Sequence, residues 1–317
     1  MSVVPTKTLA SNSNLAGFHW WDGSSLNSRH FYQRDNGVLR AIYNGSDYDD
    51  MTTTAETTPK MGTPLSSIFY NYNGIKSRTF FLNQNNQVCC ISVDGVATIG
   101  VIKDPQGNAF TARPDSQLAT FMWVPPNSAP HLRVAFQRPD NTVQQINHDG
   151  YANTTKDTTF MFTVSNTSPP TVEGTGLAFL NQGPKYLVDQ YFRGYYQYSD
   201  QIMELVNEPP SWIGSFTQQV QGKPQIRAAY PIVSQGKDFG RAKGPVYVYW
   251  TNPDGTIMKR VRDNNGNWSN ATALPKEIKV SGGGFLPIVY AASGAQSPIT
   301  ERIYWNAGGG VLKMQEL

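Results

Sequence analysis

One short pattern recurs six times along this chain. It is a β-branched and aromatic run, opened in five copies by Arg, then a turn and a second short strand. The copies read Ser-Arg-His-Phe-Tyr-Gln at Arg29, Ser-Arg-Thr-Phe-Phe-Leu at Arg78 and Leu-Arg-Val-Ala-Phe-Gln at Arg133. They continue as Phe-Arg-Gly-Tyr-Tyr-Gln at Arg193, Val-Tyr-Val-Tyr-Trp at Tyr247 and Glu-Arg-Ile-Tyr-Trp at Arg302. The steps between them are 49, 55, 60, 54 and 55 residues. Strand-type sequence with a period near fifty marks a propeller or a similar array, because each unit buries its apolar face only against its neighbours.

A further apolar or mixed strand precedes each copy: 15–21, 65–70, 118–124, 177–180, 226–233 and 285–292. Small residues interrupt these runs, among them Ala16, Ala119, Ala178 and Ala228. That suits strands crowded around an axis. Turns such as Asp35-Asn36-Gly37 and Pro253-Asp254-Gly255 follow the Arg strands. Asn, Asp and Gly reach the positive φ angles that tight hairpins demand. A third strand alternates, as in Thr142-Val143-Gln144-Gln145-Ile146, and a weaker fourth follows.

The expectation is an all-β, six-bladed β-propeller with four-stranded antiparallel blades in one domain, 1–317. The blades fall near 10–60, 61–112, 113–172, 173–222, 223–280 and 281–317. The sixth stops after its third strand, so residues 2–9 are predicted to supply the fourth and close the ring, removing exposed edges. Helix is expected at most as a short turn near 165–175.

The net charge is +3 and only 15% of residues are charged, with no basic block interleaved with aromatics. Nucleic acid is therefore not an expected partner. No run of eighteen apolar residues exists, so no membrane-spanning helix is expected. The N-terminus lacks the charged-then-apolar pattern of a signal peptide, and the compartment is left open. The two cysteines, Cys89 and Cys90, are adjacent and cannot build a disulfide framework. His19, His30, His131 and His148 lack paired metal spacing, although His19 and His30 lie on neighbouring strands where they could meet. No nucleophile elbow, P-loop or dinucleotide fingerprint is present. No metal and no cofactor are expected, and the chain is expected to be a monomer or homodimer.

The segments His131-Leu-Arg-Val-Ala-Phe-Gln-Arg-Pro-Asp-Asn-Thr-Val-Gln-Gln-Ile and Val246-Tyr-Val-Tyr-Trp-Thr-Asn-Pro-Asp-Gly-Thr-Ile-Met-Lys resemble blades of the fungal fucose-specific lectins. The similarity runs through all six units. It implies a six-bladed propeller with sugar pockets between neighbouring blades. Each pocket takes an Arg and a Glu or Gln from one blade and an aromatic from the next. Arg and carboxylate hydrogen-bond sugar hydroxyls, and the aromatic packs on the sugar's apolar face.

Carried onto this chain, the resemblance implies two complete sets. One is Arg133, Gln145 and Trp212; the other is Arg193, Glu204 and Trp268. The remaining four depart from the pattern. Arg29 meets Ala41, Arg78 meets Cys90 with Tyr151 in the aromatic place, Tyr247 and Lys259 replace Arg and carboxylate, and Arg302 meets Met314. For Arg29, Arg78 and Arg302, local stacking on aromatic faces competes with a site role.

Two function classes stay open. One is a carbohydrate-binding lectin for a fucose-type sugar. The other is an enzyme on the same scaffold, resembling the hetero-Diels–Alderases of fungal tropolonic sesquiterpenoid pathways. That chemistry needs an apolar pocket to orient two reactants and a few donors on a developing oxyanion. Its substrates would be small, apolar and aromatic. Arg193, Glu204 and Lys259 would be its catalytic groups, with Tyr195, Trp212, Trp268, Tyr247, Arg133 and Gln145 binding substrate. Eroded sugar sets, dense aromatics and no standard catalytic motif place this reading first and the lectin second.

Overall fold

The computed structural model describes residues 2–4, 8–21, 25–44, 46–51, 53–71, 75–94, 96–104, 106–123, 131–149, 171–181, 192–208, 211–233, 245–291 and 298–317. Among them the regular elements are strands, save one 3-10 turn at Ala55–Thr57. The turn expected near 165–175 lies mostly outside the described residues; 173 and 174 do form one.

Six sheets carry the six copies. Blade 1 runs Ala16–Trp21, Leu26–Gln33, Leu39–Tyr43 and Ser46–Asp50, each strand antiparallel to the one before. Blades 2, 4 and 5 repeat this meander. The expectation of four strands everywhere needs correction. Blade 3 shows three among the described residues, its expected fourth falling in 150–170, outside them. The sixth sheet has five. Its extra strand, Ile232–Val233, pairs in parallel with Phe285–Ala291. It leaves the inner strand of blade 5 (Ile226–Ala229), which neighbours blade 6 at the axis, so little chain is needed to cross. On the opposite edge Ser2–Val4 runs antiparallel to Leu312–Glu316, with Val3 opposite Lys313.

The inner strands touch in chain order, and that of blade 6 touches that of blade 1, so the sheets stand as propeller blades. The core therefore lies between blades. Phe80, Val88 and Cys90 of blade 2 pack on Leu118, Val134 and Phe136 of blade 3. Tyr249 and Ile257 of blade 5 pack on Phe285 and Trp305 of blade 6. The aromatics of the recurring run supply the largest enclosed side chains, including Tyr32, Tyr195, Trp250 and Trp305. Each contributes about 1.5–3 kcal/mol on burial. Cys89 belongs to this core, and burial pushes its thiol up to about 12, which leaves it unreactive.

The Gln that ends several copies has a structural task. Gln33 Nε2 donates to the carbonyl of Lys60, and its Oε1 accepts from Gly62 N. Gln137 does the same to Val172 and Gly174, and Gln197 donates to Gly222. In blade 6 Asn306 donates to the Ala10 carbonyl, tying the last blade to the start of the chain. Each latch saturates buried backbone groups at a blade entry. The hairpin glycines are equally constrained: Gly255 has φ of 85°, and a Cβ there would lie 2.1 Å from the Val280 carbonyl oxygen.

Candidate functional site

Ladder register places the proposed site positions. The residue two beyond the recurring Arg faces Ala41 from Phe31, Cys90 from Phe80, Gln145 from Ala135, Glu204 from Tyr195, Lys259 from Tyr249 and Met314 from Tyr304. Blade 4 has a shorter hairpin, turning through Ser199 at φ 53°. Glu204 thus reaches the equivalent rung although only eleven residues separate it from Arg193.

At the junction of blades 4 and 5, Arg193 Nη1 donates to Glu204 Oε1 at 2.7 Å. The Tyr195 hydroxyl donates to the same oxygen at 3.0 Å, and Phe216 N donates to Oε2 at 3.3 Å. The Arg193 and Glu204 side chains are 5% and 0% exposed. Burial, reinforced by the Glu204 carboxylate, pushes the Tyr195 hydroxyl well above its usual range and keeps it a donor. Trp268 approaches edge-on, its ring 6.3 Å from Tyr195 and 4.6 Å from Phe216. The Arg260 guanidinium lies 5.8 Å over Trp268. Phe216 was not anticipated. It sits one strand beyond Glu204, and only packing brings its ring between Tyr195 and Trp268.

Arg133 and Gln145 of blade 3 are both buried. Trp212 lies on Ser211–Gln219, but its side chain is outside the described residues, as is all of Tyr151.

Lys259 does not join the Arg193 and Glu204 cluster. Its Nζ reaches across to blade 6 and pairs with Glu301 Oε1 at 2.7 Å, while the Tyr249 hydroxyl donates to Glu301 Oε2 at 2.7 Å. Lys259 Nζ also lies 6.0 Å over the ring of Tyr247, which is buried. The positions that would hold an Arg and a carboxylate are occupied here by an internal cross-blade ion pair.

Blade 6 holds a pair that the spacing did not reveal. Arg302 Nη2 donates to Glu316 Oε2 at 2.7 Å, and the Tyr290 hydroxyl donates to the same oxygen at 2.8 Å. Glu316 faces Arg302 directly in the ladder, one pleat beyond Met314 on the same face. The strand's two-residue alternation was the signal that could have found it. This pair is accessible, with side-chain exposures of 25% and 51%. The Arg302 guanidinium stacks 5.3 Å over Tyr290, as Arg29 does at 5.8 Å over Tyr43 and Arg78 at 5.7 Å over Tyr70. Local stacking thus contributes at all three.

One detail repeats. The Nε of Arg78, of Arg193 and of Arg302 is enclosed and meets no acceptor among the described residues. The Trp268 Nε1 is in the same state. At the junction of blades 6 and 1, His19 and His30 meet, Nε2 to Nε2 at 2.9 Å, beside Tyr304. Among the described residues no three His, Cys, Asp or Glu cluster as a metal would require.

The family model of the fungal fucose-specific lectins matches residues 22–317. No curated protein sequence matches. Among solved structures, the fucose-specific lectin of Aleuria aurantia is 19% identical, covering 98% of this chain and 93% of its own, with a TM-score of 0.74. A structure of that lectin is described as a six-bladed β-propeller. AofleA of Arthrobotrys oligospora is 19% identical, covering 98% and 84%, with a TM-score of 0.72. At these identities the likeness establishes the fold alone.

Proposed function

The chain belongs to the fungal fucose-specific lectin family, and we propose that it binds a fucose-type sugar through about half of its six inter-blade positions. The observation that carries this is the enclosed Nε that recurs without an acceptor at Arg78, Arg193 and Arg302. A buried donor left unmade is costly, and a pattern shared by equivalent positions points to a shared acceptor such as a sugar oxygen. Arg302 with Glu316 adds an accessible carboxylate that a second hydroxyl would use, whereas the enclosed Glu204 holds Arg193 in place. Arg133 with Gln145 offers a neutral version. Lys259 and Tyr247 lie in a position saturated by Glu301, so they take no part.

The same geometry disfavours the cycloaddition reading. Arg193 and Glu204 converge, but Lys259 is committed to a different junction.

Calorimetric titration with α-methyl fucoside should give about three weak sites per chain, each dependent on multivalency for useful avidity. Arg302→Ala, at the accessible pair, should remove one site while the chain stays folded. Six equivalent sites, or no heat from the wild type, would contradict the proposal.

We further propose that 1–317 is one propeller domain in which Ser2–Val4 completes the last blade. Deleting residues 2–9 exposes the Leu312–Glu316 edge and removes Leu9 from a buried cluster. A loss of about 2 kcal/mol, or about 3 °C in melting temperature, is expected for a domain of this size. A truncated chain that melts with the full one would refute this closure.

A further inference from the structure

The axis of the propeller carries an arginine that no sugar position uses. On the inner strands, the residues facing Phe31, Phe80, Ala135, Tyr195, Tyr249 and Tyr304 are Ala16, Ser66, Ala119, Ala178, Arg227 and Leu286. Four of these six equivalent side chains are small. They leave a cavity of about 150 Å³, bordered further by Phe179 and Ile288. A cavity of about this volume is large enough for a benzene ring.

Arg227 is the single charged residue among the described residues lining that cavity. Its Nε donates to the Phe285 carbonyl at 3.2 Å and its Nη1 to the Ile226 carbonyl at 3.4 Å. Its Nη2 is enclosed and has no acceptor. Among the described residues no carboxylate reaches it, in contrast to Arg193 and Arg302. Carbonyl oxygens relieve part of the desolvation cost but supply no counter-charge. Burial pulls the guanidinium down to about 10, so it remains a cation at neutral pH. Arg227 is only partly buried and lines the axial cavity.

We propose that the axial cavity binds one small organic carboxylate, with its carboxylate on the Arg227 guanidinium and its body among the small side chains of the inner strands. A planar carboxylate matches the guanidinium fork, which a spherical ion does not. The hydroxyls nearby, Ser66 Oγ and Thr120 Oγ1, are bonded to each other at 2.9 Å and do not compete for the cation.

Benzoate and its neutral analogue benzamide are the probes, titrated calorimetrically into the full chain in dilute neutral buffer. Benzoate should bind one-to-one with Kd of about 1 mM or tighter, and benzamide at least about tenfold more weakly. Arg227→Met should weaken benzoate by about tenfold or more. If that variant does not fold, Arg227→Lys, which keeps the charge but not the fork, should still weaken it measurably. Saturating α-methyl fucoside should leave benzoate binding unchanged. No benzoate binding, equal binding of benzamide, or unaltered affinity in the folded variant would overturn the proposal. Competition by the fucoside would also overturn it, by moving benzoate to an inter-blade pocket.

Discussion

Glu204→Ala is expected to lower the unfolding free energy by about 3–5 kcal/mol, the cost of breaking a buried ion pair by removing one partner. Glu204 is wholly enclosed and accepts from Arg193, Tyr195 and Phe216 N. Its loss strands a buried guanidinium and two buried neutral donors at once. Equilibrium unfolding in urea measures the effect. The double variant Arg193→Met/Glu204→Leu should recover most of it, because two apolar side chains of similar volume replace both charges together. A loss below about 1 kcal/mol for Glu204→Ala would mean that water reaches the pair freely. The comparison also bears on sugar binding. In the free protein this pair is a structural element, enclosed on both sides.

Acid should unfold this protein earlier than its carboxylates alone would dictate. His19 and His30 are 0% and 3% exposed and share one hydrogen bond, so one ring donates Nε2–H to the bare Nε2 of the other. Burial, then the Arg302 charge, lowers His30 to about 3. Burial, then His30, then Arg302, lowers His19 as well. Both folded values lie below the unfolded value of about 6.5, so the unfolded chain takes up protons first as pH falls. Stability is therefore complete above about pH 6.5 and is lost progressively toward pH 3. Each ring contributes up to about 1.4 kcal/mol per pH unit, or about 2–4 kcal/mol for the pair between pH 6.5 and 5. Urea melts across that interval should show the slope. His19→Gln/His30→Gln should flatten it, since the carboxylates titrate mostly lower. Parallel decline in variant and wild type would assign the slope to other groups.

Much of the fold was legible because strand structure is written locally. The recurring Arg run, the Asn, Asp and Gly turns and the small residues of the inner strands each rest on a few consecutive side chains. The meeting of His19 with His30 was legible for the same reason, since both lie on paired strands. The extra parallel strand Ile232–Val233 was not, because nothing in two residues announces which sheet they join.

The candidate sites divide along the same line. The equivalence of Ala41, Cys90, Gln145, Glu204, Lys259 and Met314 followed from counting residues along hairpins. The pairing of Arg302 with Glu316 needed the ladder itself, since a fixed offset looks one pleat short. Lys259 with Glu301 and Arg227 on the axis needed the blades set against one another, and Phe216 beside Glu204 needed the pairing of the fourth strand in blade 4.

The sequence by itself determined a six-unit all-β array and which residues sit on equivalent rungs, because a strand alternates every two residues and a turn demands particular residue types. The tertiary structure alone decided which of those rungs are open, which are filled by an ion pair and which face the axis. Charge partners across a junction are chosen by blade twist and hairpin length summed over many residues, and no short stretch of sequence carries that sum.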